Sequence, residues 1–209
     1  MEPVQVAGHG VVRVRLRDLR TGRRSWHGGA FCDWTLKTAV LYILSGLPGS
    51  GKTTLARRLA PRLGAAHLRI DTIEQALRDL CAVNVQGEGY ALAHRIAADI
   101  LRAGAGVIAD SCNPLDSTRR EWEQLALDAG ARYVNIEVVC SDARQHRHRV
   151  DTRVATVPGL RLPTWEEVVA REYHAWTAAR LIVDTSGRRE QESADELLAE
   201  LQAAGLASG

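Results

Sequence analysis

Apolar positions along this 209-residue chain follow two alternating rhythms. Short aliphatic runs at 39–44, 66–70, 104–110, 133–139 and 181–185 read as strands. Between and after them, apolar residues recur every three or four positions. That spacing predicts helices from 54, over 72–82 and 90–103, over 117–129, after a Ser141 or Asp142 cap, over 164–173 from a Thr164 cap, and over 190–204. Trp122 and Leu125 fall on the core side of 117–129. Strands interleaved with helices predict an α/β fold whose strands run parallel and are covered on both faces. Ahead of this pattern, Val11–Arg17 alternates apolar and basic residues, and Thr21-Gly22 can turn it back as a hairpin.

Between the first strand and the first helix lies Gly46-Leu47-Pro48-Gly49-Ser50-Gly51-Lys52-Thr53, a G-x-x-x-x-G-K-[ST] sequence without a mismatch. Its glycines allow a tight turn that points successive amides inward, and the positive end of the following helix strengthens that nest. Phosphate is the ligand such a nest suits. Gly46, Pro48, Gly49, Ser50, Gly51, Lys52, Thr53 and Thr54 are therefore expected to bind ATP. Lys52 is expected on the β- and γ-phosphates and the Thr53 hydroxyl on Mg²⁺. Of 27 basic residues only Lys37 and Lys52 are lysines, so a lysine in this chain answers a specific demand.

Two later strands end in carboxylates. Asp71 follows the second, at the carboxyl end of the strand, where ligands sit in an open α/β sheet, and is expected to deprotonate an acceptor hydroxyl. An N-cap with Glu74 three residues on is the structural alternative. Asp110 ends the third strand and is expected to hold Mg²⁺ opposite Thr53. The helix after the fourth strand carries Arg144, Arg147 and Arg149, with Arg153 beyond. It reads as part of a lid at 141–163, with Arg149 and Arg153 on one face as the catalytic pair. His146 and His148, two apart, fall on different helix faces and do not make a metal site. Arg119 and Arg120 open the helix at 117 near the expected cleft, where they meet either solvent or an anionic acceptor. Gly187 and Arg188 are expected at the adenine edge.

Composition narrows the picture. At 45% hydrophobic and 25% charged residues, 209 residues fill one core but not two domains. Residues 1–38 carry seven basic and three acidic side chains, a local +4, leaving −2 for 39–209 in a chain of net +2. The N-terminal extension is read as a hairpin or disordered tail, and its arginines with Trp26, Phe31 and Trp34 also suit single-stranded nucleic acid. A biological start nearer Val40 is a further possibility. Four scattered cysteines argue against a disulfide framework or zinc site, and the absence of a long apolar run or signal layout points to the cytoplasm.

Over residues 39–205 the sequence resembles the small P-loop kinases of the AAA-type ATPase/kinase group, which includes polynucleotide kinases, zeta-toxin-like kinases and chloramphenicol phosphotransferases. The likeness rests on Gly46–Thr54, Asp71, and Asp110-Ser-Cys-Asn-Pro with Arg119, Arg120 and Trp122. It implies a three-layer α/β/α fold with a five-stranded parallel sheet in order 2-3-1-4-5. It also implies that Asp71 is the general base and that the lid arginines stabilise transition-state charge. The expected activity is ATP-dependent phosphoryl transfer to a hydroxyl of a small molecule or a nucleic-acid 5′ end. A regulatory ATPase acting through a protein or nucleic-acid partner is the alternative.

Overall fold

The computed structural model describes residues 38–207, so readings that concern residues 1–37 lie outside the described residues. The strands are β1 (Val40–Ser45), β2 (Ala65–Arg69), β3 (Gly106–Asp110), β4 (Arg132–Val139) and β5 (Leu181–Asp184). The helices are α1 (Lys52–Leu63), α2 (Ile70–Cys81), α3 (Glu88–Arg102), α4 (Asp116–Asp128), α5 (Ala143–Thr152), α6 (Trp165–Val169) and α7 (Glu190–Ala203). The sheet is parallel throughout in order β2-β3-β1-β4-β5, as the resemblance implied.

Alternation along β1 builds both cores. Val40, Tyr42 and Leu44 face Leu55, Ala56 and Leu59 of α1 and Leu197 and Leu201 of α7. Leu41 and Ile43 face the other layer, with Ala93, Ala97 and Leu101 of α3 and Trp122 and Ala126 of α4. Every β1 residue is buried, as a central parallel strand requires. Each fully buried aliphatic side chain contributes about 1.5–3 kcal/mol, so this strand fixes the position of the phosphate-binding loop that leaves its carboxyl end.

Several boundaries differ from the sequence expectation for physical reasons. The first helix begins at Lys52 and runs through Pro61 to a Gly64 C-cap at φ 60. The carboxylate reading of Asp71 as an N-cap fails: α2 starts at Ile70, its N-cap is Arg69, and Asp71 lies inside the first turn. Thr164 does form a capping box with Glu167, but α6 ends at Val169 and does not reach Tyr173. Tyr173 instead donates its hydroxyl to Glu137, in an irregular segment held by side chains. Asp142, of the two candidates, caps α5 by accepting from the Arg144 and Gln145 amides.

Candidate functional site

The site opens at the carboxyl ends of the strands as one cavity of about 910 Å³. Its phosphate-loop wall is shaped by backbone. Gly46 sits at φ 141, and a Cβ there would lie 2.2 Å from the Val138 carbonyl oxygen. Gly49 sits at φ 85, and a Cβ there would meet Val150 Cγ2 at 2.6 Å, so α5 packs directly on the loop. His146, a residue the sequence reading set aside, shares a 2.8 Å hydrogen bond between Nε2 and the Pro48 carbonyl and stands edge-on to Trp165. The loop is tied to its neighbours by the Gly46 amide on Cys112 O and by Thr185, whose hydroxyl lies 2.8 Å from Ser50 O and 3.0 Å from Val139 O.

Pro48, Gly49, Gly51, Lys52, Thr53 and Thr54 line the cavity. Gly46 and Ser50 stand behind them; Ser50 is buried and its hydroxyl has no partner among the described residues. Lys52 is buried with Nζ on the Leu47 carbonyl at 3.0 Å, a weak neutral acceptor that an anionic phosphate outcompetes. These features fit a polyphosphate.

Asp110 is 4% exposed, and His67 Nε2 lies 3.0 Å from its Oδ2. Burial pushes its pKa up, but hydrogen bonds from His67 and Thr53 and the charge of Lys52 outweigh it, so the carboxyl titrates below the usual range. An ionised carboxylate beside a threonine hydroxyl is an oxygen donor set that suits Mg²⁺. No cluster of three or more His, Cys, Asp or Glu suited to a metal occurs among the described residues. His67 was missed because its position on β2 opposite Ile108 on β3 is a matter of register, invisible before the strands are paired.

Asn113 entered the sequence reading only within the Asp110-Ser-Cys-Asn-Pro stretch. Fully buried at φ 44, it donates from Nδ2 to Leu44 O and accepts from Ser111 on Oδ1, joining the ends of β1 and β3.

The lid arginines separate. Arg149 lies on α5 and donates to the Thr185 hydroxyl at 2.7 Å and its carbonyl at 2.8 Å, on the phosphate-loop side. Arg153 is the extended C-cap of α5 rather than its next turn, so the two do not share a helix face, though both line the cavity. Burial lowers the Arg153 pKa against the attraction of Asp71, and its buried Nε has no partner among the described residues. Asp71 is exposed to the cavity, with Arg69 Nη2 3.0 Å from Oδ2. Arg78, Arg161 and Arg171 line the same side. Arg188 reaches the cavity wall while paired with Glu196, and the Gly187 amide is bonded to Gln145 Oε1.

Arg119 meets neither solvent nor the cavity. It is 1% exposed, donates to the Asn113, Pro114 and His174 carbonyls, and stacks 4.0 Å from the Trp176 ring centre and 4.9 Å from that of Tyr173. Arg120 is exposed and paired with Asp116.

Residues 41–172 match the AAA domain family AAA_33. The chain is 31% identical over 188 residues to the shikimate kinase of Thermobifida fusca (strain YX), covering 81% of this chain and 99% of that one. It is 32% identical over 173 residues to the shikimate kinase of Frankia casuarinae, covering 77% and 72%. Among solved structures, its fold is similar to that of Mycobacterium tuberculosis APS kinase CysC in complex with AMPPNP and APS, with a TM-score of 0.60 at 19% identity over 79% of this chain and 98% of that one. No helix among the described residues is long and apolar enough to cross a membrane. The chain belongs to the AAA_33 family of AAA domains and is an enzyme of the P-loop kinase type.

Proposed function

We propose that this protein transfers the γ-phosphoryl group of ATP to a hydroxyl of a small, anionic acceptor. The observation that carries the reading is the two-sided cavity. A phosphate loop with Lys52, Thr53 and Asp110 lines one side, and an accessible Asp71 among arginines lines the other. A volume of about 910 Å³ is near the upper end for ligand pockets, and leaves room for an acceptor beside a nucleotide.

In this reading Thr53 and Asp110 hold Mg²⁺, which when bound with ATP neutralises charge on the transferring phosphate. Lys52 releases the Leu47 carbonyl and turns to the phosphates. Arg149, already oriented by Thr185, closes the loop side, with Gly187 and Arg188 toward the base. Asp71 accepts the hydroxyl proton as the acceptor oxygen bonds to phosphorus and the bond to the β-phosphate oxygen breaks, leaving ADP. Arg153 steadies the charge that moves. The surplus of arginines over carboxylates around Asp71 supports an acceptor that carries its own negative charge, and two relatives named shikimate kinase support a small molecule. The kinase domain in this proposal is 39–209. Because His146 and Val150 pin α5 to the loop, the moving part of the 141–163 lid is 153–163.

The test is transfer of γ-labelled phosphate from MgATP to a panel holding shikimate, APS, sugar acids and a 5′-hydroxyl oligonucleotide. Label on an anionic small molecule is the expected result. Label on the oligonucleotide alone rejects the small-molecule reading, and label released only to water favours the regulatory ATPase.

A further inference from the structure

One guanidinium joins the segment after α5 to Asp71. Arg69, the last residue of β2, donates from Nη1 to the Thr156 hydroxyl at 2.8 Å and from Nη2 to Asp71 Oδ2 at 3.0 Å. Its Nε is buried and has no partner among the described residues. Thr156 also accepts from Arg57 of α1 at 3.3 Å, so two arginines converge on its hydroxyl. Three residues on, Gly159 rests on α2: a Cβ there would lie 3.0 Å from Gln75 Nε2, and Gln75 is itself bonded to Asp79. Val157 between them is buried. The segment 153–163 is thus seated across the cavity mouth on β2, α1 and α2.

The geometry at Asp71 depends on that seat. With Nη1 on Thr156, Arg69 meets Asp71 through the one recorded bond, Nη2 on Oδ2. Arginine and carboxylate otherwise favour a two-bond fork. If the segment lifts, Nη1 is released and the guanidinium is free to turn onto both oxygens of Asp71, which lowers their basicity toward a hydroxyl proton. Thr156 is exposed, so water can replace its bonds and the contact opens at small cost.

We propose that Arg69 is a positioning residue shared between Thr156 and Asp71, through which seating of residues 153–163 holds one Asp71 oxygen outside the ion pair, where it stays basic toward the acceptor hydroxyl. The inference rests on the kinase reading for its effect on turnover, while the contact itself can be tested without turnover.

Two measurements on the full chain decide it. In hydrogen exchange with MgADP and aluminium fluoride, Thr156→Val should raise exchange across 153–163 relative to wild type, and Thr156→Ser should restore protection. Unchanged protection in Thr156→Val overturns the latch even if no acceptor is ever phosphorylated. In steady-state transfer to the acceptor identified from the panel, Thr156→Val and Arg69→Lys should each lower kcat about tenfold, because neither can share the fork, with KM for ATP within about twofold of wild type. Thr156→Ser should recover the rate. Wild-type turnover in Thr156→Val, or a serine variant as slow as the valine one, overturns the proposal. A wild-type protein that phosphorylates nothing in the panel counts against the kinase reading alone.

Discussion

The two sides of the cavity are built from different materials. The phosphate-loop side is backbone: glycines at φ values that side chains resist, carbonyls bonded to Thr185 and His146, and a carboxylate held by His67 and Thr53. The opposite side, which the proposed function gives to the acceptor, is made of long side chains converging from β2, α2 and the segments after α5 and α6, with two arginine Nε groups unpartnered among the described residues. One side fixes positions through chain geometry. The other fixes charge and leaves positions adjustable.

The sharpest way to break that contrast is at the two ends of the reaction coordinate. Lys52→Met should reduce transfer about a thousandfold or more and weaken ATP binding, since one preorganised charge is lost where charge develops. Equilibrium titration with MgATP beside the transfer assay reads both effects. Asp71→Asn should lower kcat about a hundredfold or more while leaving MgATP affinity unchanged, because only proton removal is lost. Should Asp71→Asn also abolish ATP binding, the two sides are not separable.

The loop side can then be probed through its backbone. Gly49→Ala puts a Cβ against Val150 in a left-handed conformation. It should cost about 1–3 kcal/mol in denaturant unfolding and weaken ATP binding, with Val150→Ala in the same chain recovering part of the loss.

The smallest expected effect concerns pH. Burial pushes Asp184 up, but hydrogen bonds from Ser141 and Ser186 outweigh it and bring its pKa to about 2. Since the folded value is depressed, its stabilising contribution is complete above about pH 4 and is lost as pH falls through 2. Thermal unfolding between those limits should slope less steeply in Asp184→Asn than in wild type.

Legibility followed the same division. Gly46–Thr53 could be read directly because a backbone nest demands glycine at set intervals, and the strand rhythm placed all five strands to within a few residues. Sheet order came only by resemblance, since periodicity carries no pairing information. What sequence could not supply was long-range register and side-chain reach. His67 joins Asp110 across paired strands, and Arg149 and Arg153 part company because α5 stops between them. Arg119 was expected to meet either solvent or an anionic acceptor and is instead a buried staple. Its partners, Trp176 and the His174 carbonyl, lie more than fifty positions away in an irregular segment without periodic pattern.

That staple has a consequence for how such a protein can change. With α5 locked to the phosphate loop at one end and Arg119 gripping Trp176 at the other, the intervening chain is a span anchored at its two ends. On the proposed function, substitutions between these anchors, Arg153 and Thr156 apart, should alter acceptor preference while the phosphate loop keeps its register.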